Sequence, residues 1–223
     1  MDRYVRNIGA ISAQEQQQLR QCSVCIAGLG GLGGYILEFS ARLGIGCVTG
    51  IDFDRFEESN LNRQLLSTPG NIGSEKAAAA AKRMMLVNDE VHFTACTEKL
   101  SAENAGKLLA GHNLVFDALD SAESRLILSS ACAGLNIPLV HGAVNGWLAQ
   151  AAVIYPGDDT LEKLYAGIPA RSRPPAVLPF TPAAAASLQV SLALRVLLRR
   201  EVPPPGMLYL LDLLTMEIDQ MII

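Results

Sequence analysis

The stretch SVCIAGLGGLGGYILEFSARL, residues 23–43, decides the fold. Its first five residues are short and apolar and read as a strand over 23–27. A glycine-rich turn follows, and residues 35–43 read as a helix that Gly44 can end. Gly28, Gly30 and Gly33 fit G-x-G-x-x-G between strand and helix, where absent side chains let backbone N–H groups and a helix N-terminus approach a phosphate. Gly31 and Gly34 exceed what tight packing alone requires. Asp52 ends the next strand, 48–52, at the distance where a carboxylate accepts hydrogen bonds from a ribose. These features alone describe a dinucleotide site.

Working outward, Ser12 and Glu15 form a capping box for a first helix that runs to about Arg20. Residues 74–87 are strongly helix-forming, with Ser74 as the expected cap. Apolar strands are expected at 91–95, 114–118 and 139–143, separated by helices at about 101–110 and 121–135. Alternating strands and helices give an α/β fold, a Rossmann-like, doubly wound, mostly parallel sheet. After residue 143 the pattern breaks: 149–155 is a strand with no helix before it, and 156–181 is a long Pro-rich crossover loop. A helix over 182–200 and a terminal pair of strands make an antiparallel C-terminal extension. The expectation is a single domain over 1–223, with an N-terminal arm and helix at 1–20.

A chain of 223 residues can bury a real core, and half of its residues are hydrophobic. With 18 basic and 22 acidic residues its net charge is −4, which leaves no basic footprint for nucleic acid. The first 20 residues carry charges and glutamines where an export signal needs an apolar run, so a cytoplasmic protein is expected. The most apolar stretch, 176–198, is interrupted by Pro179, Pro182, Gln189 and Arg195, and reads as a core helix rather than a membrane span. The five cysteines all lie within the first 132 residues, and Cys22 and Cys25 lack the second pair that would complete a zinc set.

The segment after Asp52 changes the dinucleotide reading. Ser59, Asn60, Leu61, Asn62, Arg63 and Gln64 have no reason to follow the ribose acid of an ordinary NAD protein, and a guanidinium at Arg63 suits a triphosphate. Lys76 falls in the first turn of a helix, where the macrodipole disfavours a cation unless an anion is bound nearby. Asp120 follows the strand LVFDALD and precedes a helix starting near Ser121, so it sits at a strand's carboxyl end, where such sheets bind ligands. It is a candidate Mg²⁺ ligand, with Asp117 the competing carboxylate and a helix-capping role the simpler alternative.

The ordered set RYVRN, GLGGLG, DFD, SNLNRQ, GSEK and ALDSAESR resembles the ThiF/MoeB/HesA proteins of the ubiquitin-activating superfamily. That resemblance implies adenylation by Mg-ATP of the C-terminal glycine of a ubiquitin-like sulfur carrier protein ending in Gly-Gly. Residue by residue, it places Gly28, Gly30, Gly31, Gly33, Asp52, Asp54, Ser59 to Gln64, Lys76, Asp120 and Ser121 around ATP, with Asp120 as the magnesium ligand and catalytic acidic residue. It makes Arg63 and Lys76 catalytic, and Arg6 the arginine that reaches into the partner's site of a homodimer.

The chain also departs from the family pattern. Relatives carry two CxxC pairs for zinc and a crossover cysteine, whereas no Cys follows Cys132 here. No zinc is expected, and the chemistry is expected to stop at the acyl adenylate, with sulfur delivered by a separate donor protein. Cys132 is expected in the core, and His92, His112 and His141 are expected to be structural or exposed. Three alternatives are another carboxylate or a modified tRNA base as substrate, an NAD-binding oxidoreductase, and a catalytically silent scaffold. The acidic balance weighs against RNA, and the oxidoreductase leaves SNLNRQ and Lys76 unexplained.

Overall fold

The computed structural model describes residues 3–167 and 176–223. Its framework is one eight-stranded sheet in the order β3-β2-β1-β4-β5-β6-β7-β8. The first half comprises α1 (Ala13–Leu19), β1 (Ser23–Ala27), α2 (Gly31–Leu43), β2 (Cys47–Ile51), α3 (Lys76–Val87) and β3 (His92–Cys96). Then come α4 (Ala105–Leu109), β4 (Leu114–Asp117), α5 (Ala122–Leu135) and β5 (Leu139–Asn145). These five strands pair in parallel, and β6 (Leu148–Ile154), β7 (Met207–Asp212) and β8 (Glu217–Ile222) add antiparallel to β5. Helices α6 (Thr160–Tyr165) and α7 (Thr181–Leu197) complete the described elements.

Strand β1 lies at the centre because it is short, apolar and buried over Val24 to Ala27, as a strand covered on both faces must be. On one face α2, α3 and α7 close a core around Ile26, Leu37, Phe116 and Val190; on the other α4, α5 and α6 close a second around Val115, Leu128, Leu139 and Leu161. The chain leaves β1 toward β2 and returns on its other side to β4, which opens a crevice between their carboxyl ends. None of the helices among the described residues is long and apolar enough to cross a membrane.

The glycine turn is set by close approach. A Cβ on Gly33 would lie 1.8 Å from the Gly28 carbonyl oxygen, and Gly28 has φ +95° with the Ala118 carbonyl 2.6 Å from where its own Cβ would be. The N-terminal arm is pinned as well. The α1 capping box has both of its bonds, and Arg200 clasps Glu15 with bonds of 2.6 and 2.7 Å. The Arg200 guanidinium, aided by the Ser12 N–H, pulls the Glu15 carboxyl down to about 2.

Several expectations need correction. Helix α2 begins at Gly31, inside the turn, rather than at residue 35. Helix α3 is capped at Glu75 without a side-chain bond; Ser74 spends its backbone on Asn71 and Phe56 instead. Within 101–110 only Ala105–Leu109 is α-helical. Strand β3 is an edge strand with exposed or half-buried residues rather than an apolar one. The passage 156–181 is not wholly irregular, since α6 forms within it; its residues 168–175 lie outside the described set.

Two glycine substitutions separate packing from backbone freedom. Gly33→Ala is expected to lower unfolding stability by about 3 kcal/mol, because the clash is with backbone that cannot swing away. Gly106→Ala in α4, with open space around it, is expected to add about 0.5 kcal/mol. Urea denaturation of both variants checks this.

Candidate active site

A cleft of about 890 Å³ runs across the carboxyl edge of the sheet. At one end it is lined by Gly28, Gly30, Gly31, Asp52, Asp54, Arg63 and Lys76. Asp120, Ser121 and Arg125 form the middle wall, and Asn145, Gln150, Tyr165 and Leu210 belong to the far end, where the sheet turns antiparallel.

Asp52 is 8% exposed, with one carboxylate oxygen accepting from Leu29 N–H at 2.7 Å and the other from Asp54 N–H at 2.8 Å. Burial pushes its carboxyl above the usual range, against the pull of the Lys76 ammonium and those two N–H groups. Lys76 is itself buried; its Nζ lies 3.0 Å from Asp54 Oδ2 and 4.0 Å from Asp52 Oδ2. The lysine in the first turn of α3 is thus compensated by the chain's own carboxylates. Its position alone does not demand an external anion, which corrects the sequence argument.

The SNLNRQ segment divides into two jobs. Asn60 is buried and organises the loop: its side chain accepts from Glu57 N–H, and its carbonyl accepts from Arg63 and Gln64 N–H. Ser59, Leu61 and Asn62, like Asn60, do not line the cleft; Ser59 and Asn62 instead accept bonds from the Arg63 guanidinium at 2.7 and 2.9 Å, and Asn62 donates to Val177 O. Arg63 and Gln64 do reach the cleft, and the buried Gln64 Oε1 has no hydrogen-bond partner. Gly33 packs beneath the turn rather than facing the cleft. Arg6, exposed on the N-terminal arm, is not among the residues that line it.

Ser121, not Asp120, caps α5, its hydroxyl accepting from Ser124 N–H at 3.1 Å. Asp120 is left as an exposed carboxylate on the cleft wall. Mg²⁺ prefers one or two carboxylates together with phosphate oxygens and water. The described residues hold no group of three or more His, Cys, Asp or Glu placed to bind a cation alone. Asp120 is a single carboxylate on that wall, of the kind a Mg²⁺ ion uses together with phosphate oxygens.

Sequence reasoning missed the polar cluster beneath this wall. Parallel pairing places Asp117 beside His141, both fully buried, with Nδ1 of the imidazole 2.6 Å from Asp117 Oδ2. The amide nitrogen of Gln150 faces Nε2, so Nε2 accepts and Nδ1 carries the hydrogen toward Asp117. Burial pushes the imidazole below its usual range despite Asp117, which keeps it neutral. Around Nε2 stand Gln150 Nε2 at 3.0 Å and the Tyr165 hydroxyl at 3.1 Å. Arg125 donates to Leu119 O at 2.7 Å and lies over the Tyr165 ring at 4.8 Å. Strand register brings this cluster together, and no motif in the sequence announces it. Cys132, as expected, is core: burial and then Asp117 push its thiol up to about 12.

Residues 4–223 match the ThiF family model. The chain is similar to the sulfur carrier protein adenylyltransferase of Thermus thermophilus, 34% identical over 192 residues that make up 80% of this chain and 70% of that protein. It is also similar to the SAMP-activating enzyme E1 of Haloferax volcanii, 29% identical over 188 residues, 82% of this chain and 70% of that protein. The structure of E. coli MccB with ATP shares its fold with a TM-score of 0.84 at 19% identity, over 98% of this chain and 70% of that one. With a match that runs nearly its whole length, the chain belongs to the ThiF family and stands among its adenylyltransferases.

Proposed function

We propose that the chain is a single-domain, ATP-dependent adenylyltransferase that activates the C-terminal glycine carboxylate of a ubiquitin-like sulfur carrier protein. The observation that carries this reading is the lining of the cleft: Lys76, Arg63 and the turn at Gly28 to Gly31 belong to one end, and the lining continues past Asp120 to Gln150 beneath the antiparallel strands. A nucleotide fills the first end and an extended peptide tail the second.

In this reading the backbone N–H groups of the glycine turn and the start of α2 face the phosphates, and Asp52 and Asp54 face the ribose. A carboxylate oxygen of the terminal glycine attacks the α-phosphorus, and the bond from that phosphorus to the bridging oxygen of the β-phosphate breaks. The electron pair leaves with pyrophosphate. No general base is needed, since the nucleophile is already ionised. What the reaction needs is cancellation of negative charge, and Lys76, Arg63 and a partner's arginine supply it. Lys76 has three N–H donors, so it can exchange Asp54 for a phosphate oxygen while staying near Asp52. Mg²⁺ held by Asp120 and the phosphates would neutralise charge that develops on the leaving group. The product is the acyl adenylate, and sulfur comes from a separate donor protein.

Arg6 belongs, in the same reading, to the partner's site of a homodimer; its exposure on an arm pinned to the body supports such a reach. The five cysteines are free thiols, which suits a cytoplasmic setting.

Carrier-dependent exchange of labelled pyrophosphate into ATP tests the reaction. Lys76→Ala and Asp120→Ala should each lower it by about 100-fold while the chain stays folded. Exchange with no carrier, despite Mg-ATP binding, would sink the proposal. A mixing experiment tests the dimer. Arg6→Ala and Asp120→Ala chains, each inactive alone, should on random mixing regain about a quarter of wild-type activity, because half the dimers are mixed and each holds one intact site. Absence of any recovery would place Arg6 outside the partner's site.

A further inference from the structure

The neutral His141 in the buried cluster sits directly behind two side chains that line the far trough, Gln150 and Tyr165. Its Nε2 has one lone pair, and two donors face it. Gln150 Nε2 is also 2.9 Å from the Tyr165 hydroxyl oxygen. The amide nitrogen of Gln150 therefore has a reason to point inward, toward an imidazole acceptor and a phenol oxygen. With that end fixed, the amide carbonyl is directed away from the cluster.

The orientation has a buried origin. Asp117 accepts from His141 Nδ1 and, through its other oxygen, from Leu119 N–H at 3.0 Å. It thereby decides which imidazole nitrogen carries hydrogen. Gln189 on α7 ties the strands beneath, donating to Asp117 O and Val140 O at 2.8 and 3.0 Å. Nothing in the adenylation chemistry described above uses Asp117, His141 or Gln150. A fully buried Asp and His pair costs stability in a core that could have been apolar, and a positioning role is a reason for keeping it.

We propose that Gln150 reads the peptide backbone of the incoming tail, and that Asp117 and His141 are positioning residues that set the direction of its amide. With both amide N–H groups turned inward, the side chain offers the tail its carbonyl, an acceptor for a backbone N–H of a glycine-rich segment that has no side chains of its own. The trough wall beside it is apolar at Leu148 and Leu210, so a bulky charged tail gains nothing there. The chain of control runs from the carboxylate, through the imidazole tautomer, to the amide and the tail. This inference rests on the adenylation reading given above.

Among the described residues, the charged and titratable groups that face His141 are Asp117 on β4, Arg125 on α5 and Tyr165 on α6. Protonation of Nε2 would set an N–H against the Gln150 N–H and turn the amide over.

The experiment is pyrophosphate exchange by the full chain with a ubiquitin-like protein ending in Gly-Gly, with the KM for that protein and the KM for ATP measured separately. Gln150→Ala should raise the carrier KM about tenfold and leave the ATP KM within twofold. Asp117→Asn, whose amide can donate to Nδ1 and so move the hydrogen to Nε2, should raise the carrier KM likewise. The ¹⁵N spectrum of the wild-type imidazole should show an unprotonated Nε2 at neutral pH, and the carrier KM should rise as the solution is acidified below the imidazole's ordinary range. An unchanged carrier KM in Gln150→Ala, alongside wild-type exchange, overturns the role of Gln150. A protonated Nε2 in the wild type overturns the positioning role even if Asp117→Asn does not fold. A wild-type chain that binds Mg-ATP and exchanges with no carrier refutes the adenylation reading itself, and with it this one.

Discussion

Asp52 accepts hydrogen bonds from the backbone of Leu29 and of Asp54, and it lies 4.0 Å from the Lys76 ammonium. One carboxylate thus joins the glycine turn, the end of β2 and the start of α3. Burial disfavours its charged form, and the N–H donors and the cation held around it work against that. The same contacts fix the distance between the turn and Lys76. Any group that binds between them meets a preorganised arrangement, in which the donors are paid for in advance by folding.

The cleft has a gradient of character along its length. Charged side chains crowd the end beneath the parallel strands; neutral amides, an aromatic hydroxyl and aliphatic side chains line the end beneath the antiparallel ones. The change coincides with the hairpin of β5 and β6, which replaces a crossover helix with a direct reversal of the chain. The departure from a regular doubly wound pattern thus falls where the lining of the cleft changes character.

Much of this was legible in residues 23–43 and their neighbours. The G-x-G-x-x-G turn, the acid at Asp52 and the alternation of strands and helices describe local relations, each governed by spacing along the chain. Sequence reasoning went astray where a residue's partner lies far away. Ser74 looks like a cap until the backbone of Phe56 claims its carbonyl. Lys76 looks like an unpaired cation until β2 delivers Asp54 to within 3.0 Å of it. For Asp120 the capping alternative falls away, because Ser121 caps α5 and leaves the carboxylate on the cleft wall. SNLNRQ reads as one binding segment, yet Asn60 is a buried scaffold and only Arg63 and Gln64 reach the cleft.

By itself the sequence determined the class of fold, the glycine turn between β1 and α2 and the identity of most charged groups around it, because glycine spacing and hydrophobic period act over a few residues. The pairing of Asp117 with His141, and of His141 with Gln150 and Tyr165, was decided only by tertiary structure. Those residues come from β4, β5, β6 and α6, and strand register is a long-range property. A slip of one residue in any of these strands would turn the polar side chain to the opposite face of the sheet.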